Sequence, residues 1–210
     1  MPAERIHLVR HGEVENPRGV LYGRIEGFGL SERGHRMAEL AAASLAGHDI
    51  RAIVASPLQR TQESAAPWVA RFGVDLELDE RLIEPANRFE GLNMRRDLPR
   101  RPDLWRHLAN PRVPSWGEPF LSVQARMMAV ITERWRSAQG GDVVLVSHQM
   151  PIVMVARTVA GKPLPHNPSN RRCALSSITT LERRGDRFVE VSYAEPAAEL
   201  LHDAIDRGAV

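Results

Sequence analysis

The sequence predicts an α/β fold, a three-layer α/β/α sandwich on a mostly parallel sheet. Three observations predict it. Short apolar runs of strand length alternate with longer stretches whose apolar residues recur at helical spacing. Helix-start and helix-stop residues stand between them. Two runs near the C-terminus, separated by a short polar turn with a glycine, add an antiparallel pair at one side of the sheet. With 210 residues, 43% of them hydrophobic, residues 1–210 are expected to form one domain with its own core.

The elements follow in order. Ile6–Val9 is a strand running directly into Arg10-His11-Gly12. Ser31-Glu32 pairs a cap residue with a first-turn acid and starts a helix carrying Met37, Leu40, Ala41 and Leu45, with Gly47 as its stop. Ala52–Ala55 is a buried strand. In Ser56-Pro57-Leu58-Gln59 a cap serine precedes proline at the first helical position, which places Arg60 in a first turn. Val74–Leu78 reads as a third strand with Leu76 and Leu78 on one face. An irregular excursion over about 92–117 holds Arg95, Arg96, Arg100, Arg101, Arg106 and Arg112 among prolines. Phe120, Met127, Ile131 and Trp135 mark a long amphipathic helix ending at Gly140-Gly141. Asp142 precedes the strand Val143–Val146, then come Ser147-His148 and a helix opened near Pro151 and closed by Gly161. Ser177–Leu181 and Phe188–Tyr193 form the terminal hairpin, and Leu200, Leu201, Ala204 and Ile205 a short tail helix; an edge strand or this tail helix could support a homodimer.

Composition removes several classes. A formal charge of +2 is too small for a dedicated nucleic-acid binder, which needs a concentrated basic face. The single Cys173 excludes an internal disulfide and any multi-cysteine zinc site. Eight histidines lie mostly singly, without helical pairing, and no metal or cofactor is expected. Polar residues Glu4 and Arg5 precede the first apolar run, and no run reaches membrane-spanning length, so no membrane partner is expected and the location is read as cytoplasmic. Of 28 basic residues only Lys162 is lysine. That skew fits codon bias or planar forks for phosphate and carboxylate, and only placement separates the two.

In open α/β sheets, ligands gather beyond the carboxyl ends of the strands. Arg10, His11 and His148 all fall at such ends. A neutral imidazole can attack phosphorus while a guanidinium holds two phosphate oxygens, and Gly12 allows a close backbone approach.

Leu8–Glu13 resembles the signature of the histidine phosphatase superfamily, which includes the cofactor-dependent phosphoglycerate mutases. Further features follow in the family's order. These are Leu30-Ser31-Glu32-Arg33-Gly34, Ser56–Thr61, Arg81–Glu84 with Phe89-Glu90-Gly91, and Val146-Ser147-His148 with Pro151-Ile152. The similarity spans roughly residues 5–193, and the ordered set is far more specific than any member. It implies a phosphoglycerate mutase-like fold and a phosphorylated small-molecule substrate. His11 would be the nucleophile, with Arg10, Arg60 and His148 around the phosphoryl group. Glu84 would protonate the leaving oxygen and later help activate water, though Glu90 is a nearby competitor.

On this reading His148 is expected to act protonated, as a donor to phosphate, while Glu13 orients a neighbour. Asn16, Tyr22, Gly23 and Gln149 are expected to contact substrate, as are Arg18 and Arg24 at its non-reacting end. Departures from the family pattern are Val14 for serine or threonine, Gln149 for glycine, and asparagine one position early at Asn16. The expected activity is metal-independent phosphomonoester hydrolysis. The alternatives are mutase activity and a phospholigand-binding member without turnover. The arginine-rich excursion reads as a solvated segment more than a substrate lid.

Overall fold

The computed structural model describes residues 1–108 and 116–206. Strand β1 (Arg5–Arg10) lies inside a six-stranded sheet with β2 (Ile50–Ala55), β3 (Leu76–Leu78), β4 (Asp142–Ser147), β5 (Ile178–Arg184) and β6 (Arg187–Ala194), ordered β3-β2-β4-β1-β5-β6. β1 to β4 run parallel, and the β5–β6 hairpin is added antiparallel against β1. The helices are α1 (Glu32–Ser44), α2 (Gln59–Phe72), α3 (Pro102–Trp105), α4 (Phe120–Ser137), α5 (Gln149–Val159) and α6 (Ala198–Leu201). None of the described helices is long and apolar enough to cross a membrane.

Strand alternation builds the three layers. Val143 and Leu145 of β4 join Ile6 and Leu8 of β1 in a cluster with Val123, Met127 and Ile131 of α4 and Ile152 and Val155 of α5. Their neighbours Val144 and Val146 pack on the other face with Val9, Ala41 and Ala42 of α1, and Ala65 and Trp68 of α2. A central strand covered on both sides reads as an unbroken apolar run, which is why β4 is so plain in the sequence. Trp68 is fully buried and stacks on Phe72, ring centroids 6.1 Å apart. Trp68→Ala is expected to cost about 3–5 kcal/mol in denaturant unfolding. Trp68→Phe should cost clearly less, because it keeps a six-membered aromatic ring and removes an indole N–H that has no partner. Equal costs for the two would contradict that packing.

Several local expectations are corrected. Helix α2 begins at Gln59, two residues late, with Leu58 at the cap and no side-chain cap bond. The Ser56 hydroxyl lies 2.8 Å from His148 instead, so tertiary contact takes the group that local pattern assigned to capping. In α1 Met37, Ala38, Ala41 and Ala42 face inward and Leu40 is exposed, and the helix ends at Ser44 rather than at Gly47. β3 is three residues long, and Leu78 is half exposed at this sheet edge. The tail helix is a single turn. Its Leu200 and Leu201, with Ala204, pack inward beside Met37, Leu175 and Ala197, leaving Ile205 exposed. Within the excursion, α3 lies between two single 3₁₀ turns, Leu98–Arg100 and Arg106–Leu108. Arg96 and Arg101 pair with Asp97 and Asp103 at its surface. Arg112 lies outside the described residues.

Candidate active site

The parallel strands deliver the expected residues to one end of the sheet. β1 runs out at Arg10, and the His11 amide continues the ladder by donating to the Ser147 carbonyl (3.1 Å). β4 runs out at Ser147 into His148, and the Ser56 amide donates to Val146 (3.0 Å). Arg60 enters from the second residue of α2. Glu84 enters from the loop that follows a 3₁₀ turn over Glu80–Leu82, a turn docked by Ser147 Oγ–H donating to the Leu82 carbonyl at 2.7 Å. Arg10, His11, Arg60, Glu84 and His148 are all at most 2% exposed.

Local contacts define the chemistry of His11. Its Nδ1 lies 2.7 Å from the Gly12 carbonyl, which can only accept, so Nδ1 carries the proton and Nε2 carries the lone pair. Burial, then the charges of Arg60 and Arg10, holds this imidazole well below the usual histidine range. It is neutral at neutral pH, with its Nε2 lone pair free of a proton. Gly12 is also needed for packing: a Cβ there would stand 2.4 Å from the Gly34 carbonyl oxygen in the first turn of α1. Gly12→Ala is therefore expected to destabilise by about 1–3 kcal/mol, read as a lower Tm, and to displace His11. An unchanged Tm and unchanged turnover would contradict that contact.

The two cations are held differently. Arg10 donates to the Cys173 carbonyl (2.7 Å) and grips both Asp206 oxygens, at 2.8 and 2.5 Å. Burial opposes its charge, but the Asp206 pair outweighs burial and raises its pKa. Arg60 donates to the Gly23 carbonyl (2.7 Å) and lies over the Tyr22 ring, 4.7 Å from its centroid. Burial lowers the Arg60 pKa and pushes the Tyr22 phenol up to about 12.

Glu84 and His148 form the opposite wall. Burial raises the Glu84 carboxyl to about 7 against the opposing pull of Arg60, Arg10, Arg171 and Arg126. Its Oε2 is 3.7 Å from His148 Nδ1. His148 was expected as a cation. Burial, followed by Arg60, holds it well below the usual range, so it is neutral and donates from one nitrogen only. Among the described residues eight buried side-chain polar atoms lack a hydrogen-bond partner. Four of them are Arg10 Nε, Arg60 Nε, Glu84 Oε1 and His148 Nδ1. Orphaned buried polar atoms are rare, and the two guanidinium Nε–H groups among them are donors that fit an oxyanion ligand.

The remaining expectations divide. Tyr22 and Gly23 line Arg60. Asn16 closes its own loop, donating to the Val20 carbonyl (2.8 Å) and accepting from the Val20 amide (3.2 Å). Gln149 Oε1 accepts from Arg171 (3.0 Å). Arg24 donates to the Glu84 carbonyl (2.6 Å) and pairs with Glu118, supporting the acid rather than standing free at a rim. Arg18 is exposed. Glu90 accepts from the Arg24 and Asn87 amides, which makes it a loop staple and leaves Glu84 as the buried acid. Glu13 accepts from Ser31, Arg33 and the Ile205 amide, tying the tail to α1. Asp206, Arg171 and Ser56 were missed, and no local pattern marks a partner 196 residues from Arg10.

A family model described as histidine phosphatase superfamily (branch 1) matches residues 6–196. The chain is 48% identical over 204 residues to the uncharacterized protein Rv0525 of Mycobacterium tuberculosis, covering 94% of this chain and 100% of that one. It is 30% identical over 153 residues to phosphoserine phosphatase 1 of Hydrogenobacter thermophilus, covering 70% of this chain and 72% of that protein. A solved structure of mycobacterial glucosyl-3-phosphoglycerate phosphatase complexed with VO3 is similar at a TM-score of 0.75 and 26% identity, covering 89% and 96% of the two chains. The match runs from β1 through the terminal hairpin and takes in every residue of the buried cluster. The chain belongs to the histidine phosphatase superfamily, branch 1.

Proposed function

We propose that the protein is a metal-independent phosphatase that hydrolyses a small phosphate monoester through a phosphohistidine on His11. The observation that carries this is the His11 Nδ1–H bond to Gly12, which leaves a neutral Nε2 lone pair beside two buried arginines. In the first step Nε2 attacks phosphorus, the P–N bond forms and the ester P–O bond breaks. Glu84, uncharged below about pH 7, gives its proton to the leaving oxygen. In the second step water attacks phosphorus, its proton passes to the Glu84 carboxylate, and the P–N bond breaks to restore the imidazole.

Arg10, Arg60 and a neutral His148 donate to the phosphoryl oxygens, where charge spreads in the transition state. Tyr22 and Gly23 hold Arg60, and Gln149 with Arg171 faces the substrate from the start of α5. Two named relatives, the phosphoserine and glucosyl-3-phosphoglycerate phosphatases, act on phosphate monoesters, which supports this substrate class.

The test is hydrolysis of an aryl phosphate and a panel of phosphometabolites in chelator. Release of inorganic phosphate with a rapid-quench, acid-labile phosphoprotein is expected. Interconversion of 3- and 2-phosphoglycerate without phosphate release, or no turnover on any substrate, would overturn it.

A further inference from the structure

A second polar cluster sits at the opposite end of the sheet. Asp142 begins β4, His7 lies in β1, and His48 lies in the turn before β2. His7 Nε2 and His48 Nδ1 both approach the same oxygen, Asp142 Oδ2, at 3.1 and 2.7 Å. One potential ligand atom from each residue lies within 4.8 Å of the other two. The His7 side chain is 1% exposed and that of Asp142 5%, while His48 is 28% exposed and faces the protein surface. The other carboxylate oxygen, Asp142 Oδ1, is buried and has no hydrogen-bond partner. Thr180, directly across from His7 in the β1–β5 register, places its hydroxyl 3.0 Å from His7 Nδ1.

We propose that His7, His48 and Asp142 form a site for a divalent transition-metal ion of the zinc class. Two imidazoles and a carboxylate suit zinc, and water from the exposed side of His48 completes a tetrahedron. Ligand bonds of about 2.0–2.1 Å put tetrahedral ligand atoms roughly 3.3 Å apart, close to the 3.1 Å spacing of His7 and Asp142 and wider than the 2.7 Å spacing of the partly exposed His48, which moves outward to bind. The ion takes the lone pairs of His7 Nε2 and His48 Nδ1, replacing their two bonds to Asp142. His7 keeps its orientation, because the Thr180 hydroxyl accepts from Nδ1–H as readily as it donates to Nδ1. The orphaned Oδ1 then gains a cation beside its carboxylate. The site stands about 16 Å along β4 from Ser147, at a rise of roughly 3.3 Å per residue, so it acts on stability rather than on the reaction. It fastens β1, β4 and the turn before β2 together.

The full untagged chain, stripped with chelator, is titrated with Zn2+ by calorimetry and with Co2+ by visible absorption. One ion per chain and a rise in Tm with added metal are expected. His48→Ala, at the exposed ligand, should weaken binding at least tenfold and leave turnover in chelator unchanged, and Asp142→Asn should weaken it similarly. His11→Ala should keep full binding, which separates this site from the histidines at the other end. Binding well below one ion per chain, binding that survives His48→Ala in a folded protein, or binding lost in His11→Ala would overturn the proposal.

Discussion

His11→Ala is expected to lower kcat on an aryl phosphate by about 10^4-fold or more, the scale seen when a covalent nucleophile is removed. The arrangement of the site makes this the largest single effect. Arg10 is held by Asp206 and Cys173, and Arg60 by Gly23, all independently of the imidazole. Phosphate contacts therefore survive the substitution, and KM should change much less than kcat. Rapid quench should show acid-labile phosphoprotein in the wild type and none in the variant. Retention of more than about 1% of wild-type kcat, or a phosphoprotein still formed, would assign the nucleophile elsewhere.

Glu84→Gln is expected to lower kcat/KM by about 10^2–10^4-fold, the usual contribution of a general acid. Its pH profile carries the sharper information. The acid must hold its proton at the start of the reaction. Burial raises its pKa to about 7, so the protonated fraction, and kcat/KM with it, falls as pH rises through about 7. His11 is held low by burial and two cations, so it loses its lone pair only in stronger acid, far below that limb. Glutamine keeps the shape and cannot titrate. The alkaline fall attributed to Glu84 should vanish, and because substrate ionisation is common to both proteins, the ratio of the two profiles isolates the carboxyl. An unchanged limb in Glu84→Gln would move the donor role to another residue.

The parallel strands and the covering helices were legible because a strand buried on both faces must be apolar throughout, as in Val143–Val146. The placement of Arg10, His11 and His148 was legible for a related reason. Each directly follows a recognisable strand, and parallel neighbours deliver their carboxyl ends to one edge. Element ends were less legible. Ser56-Pro57 carries a local helix-start pattern, yet the serine hydroxyl is claimed by His148 across a separation of 92 residues. A capping pattern records only the local choice. Asn16 shows the opposite case, a side chain that bonds locally, to the Val20 carbonyl and amide.

The arginine skew is resolved by placement. Arg10 and Arg60 are buried beside His11, Arg24 and Arg126 converge on Glu118 beneath Glu84, and Arg96 and Arg101 make only exposed pairs. Taken alone, the sequence determined the layer order of the fold, its family resemblance and the residues that reach one end of the sheet. These follow from periodicity and from short contiguous motifs, which are local properties of the chain. The tertiary structure alone decided the charge states and the second-rank partners: a neutral His148, a Glu84 titrating near 7, Asp206 on Arg10, and the His7–His48–Asp142 cluster. Desolvation and contacts between groups far apart in the chain, such as the 94 residues between His48 and Asp142 and the 196 between Arg10 and Asp206, set these, and neither exists until the chain has folded.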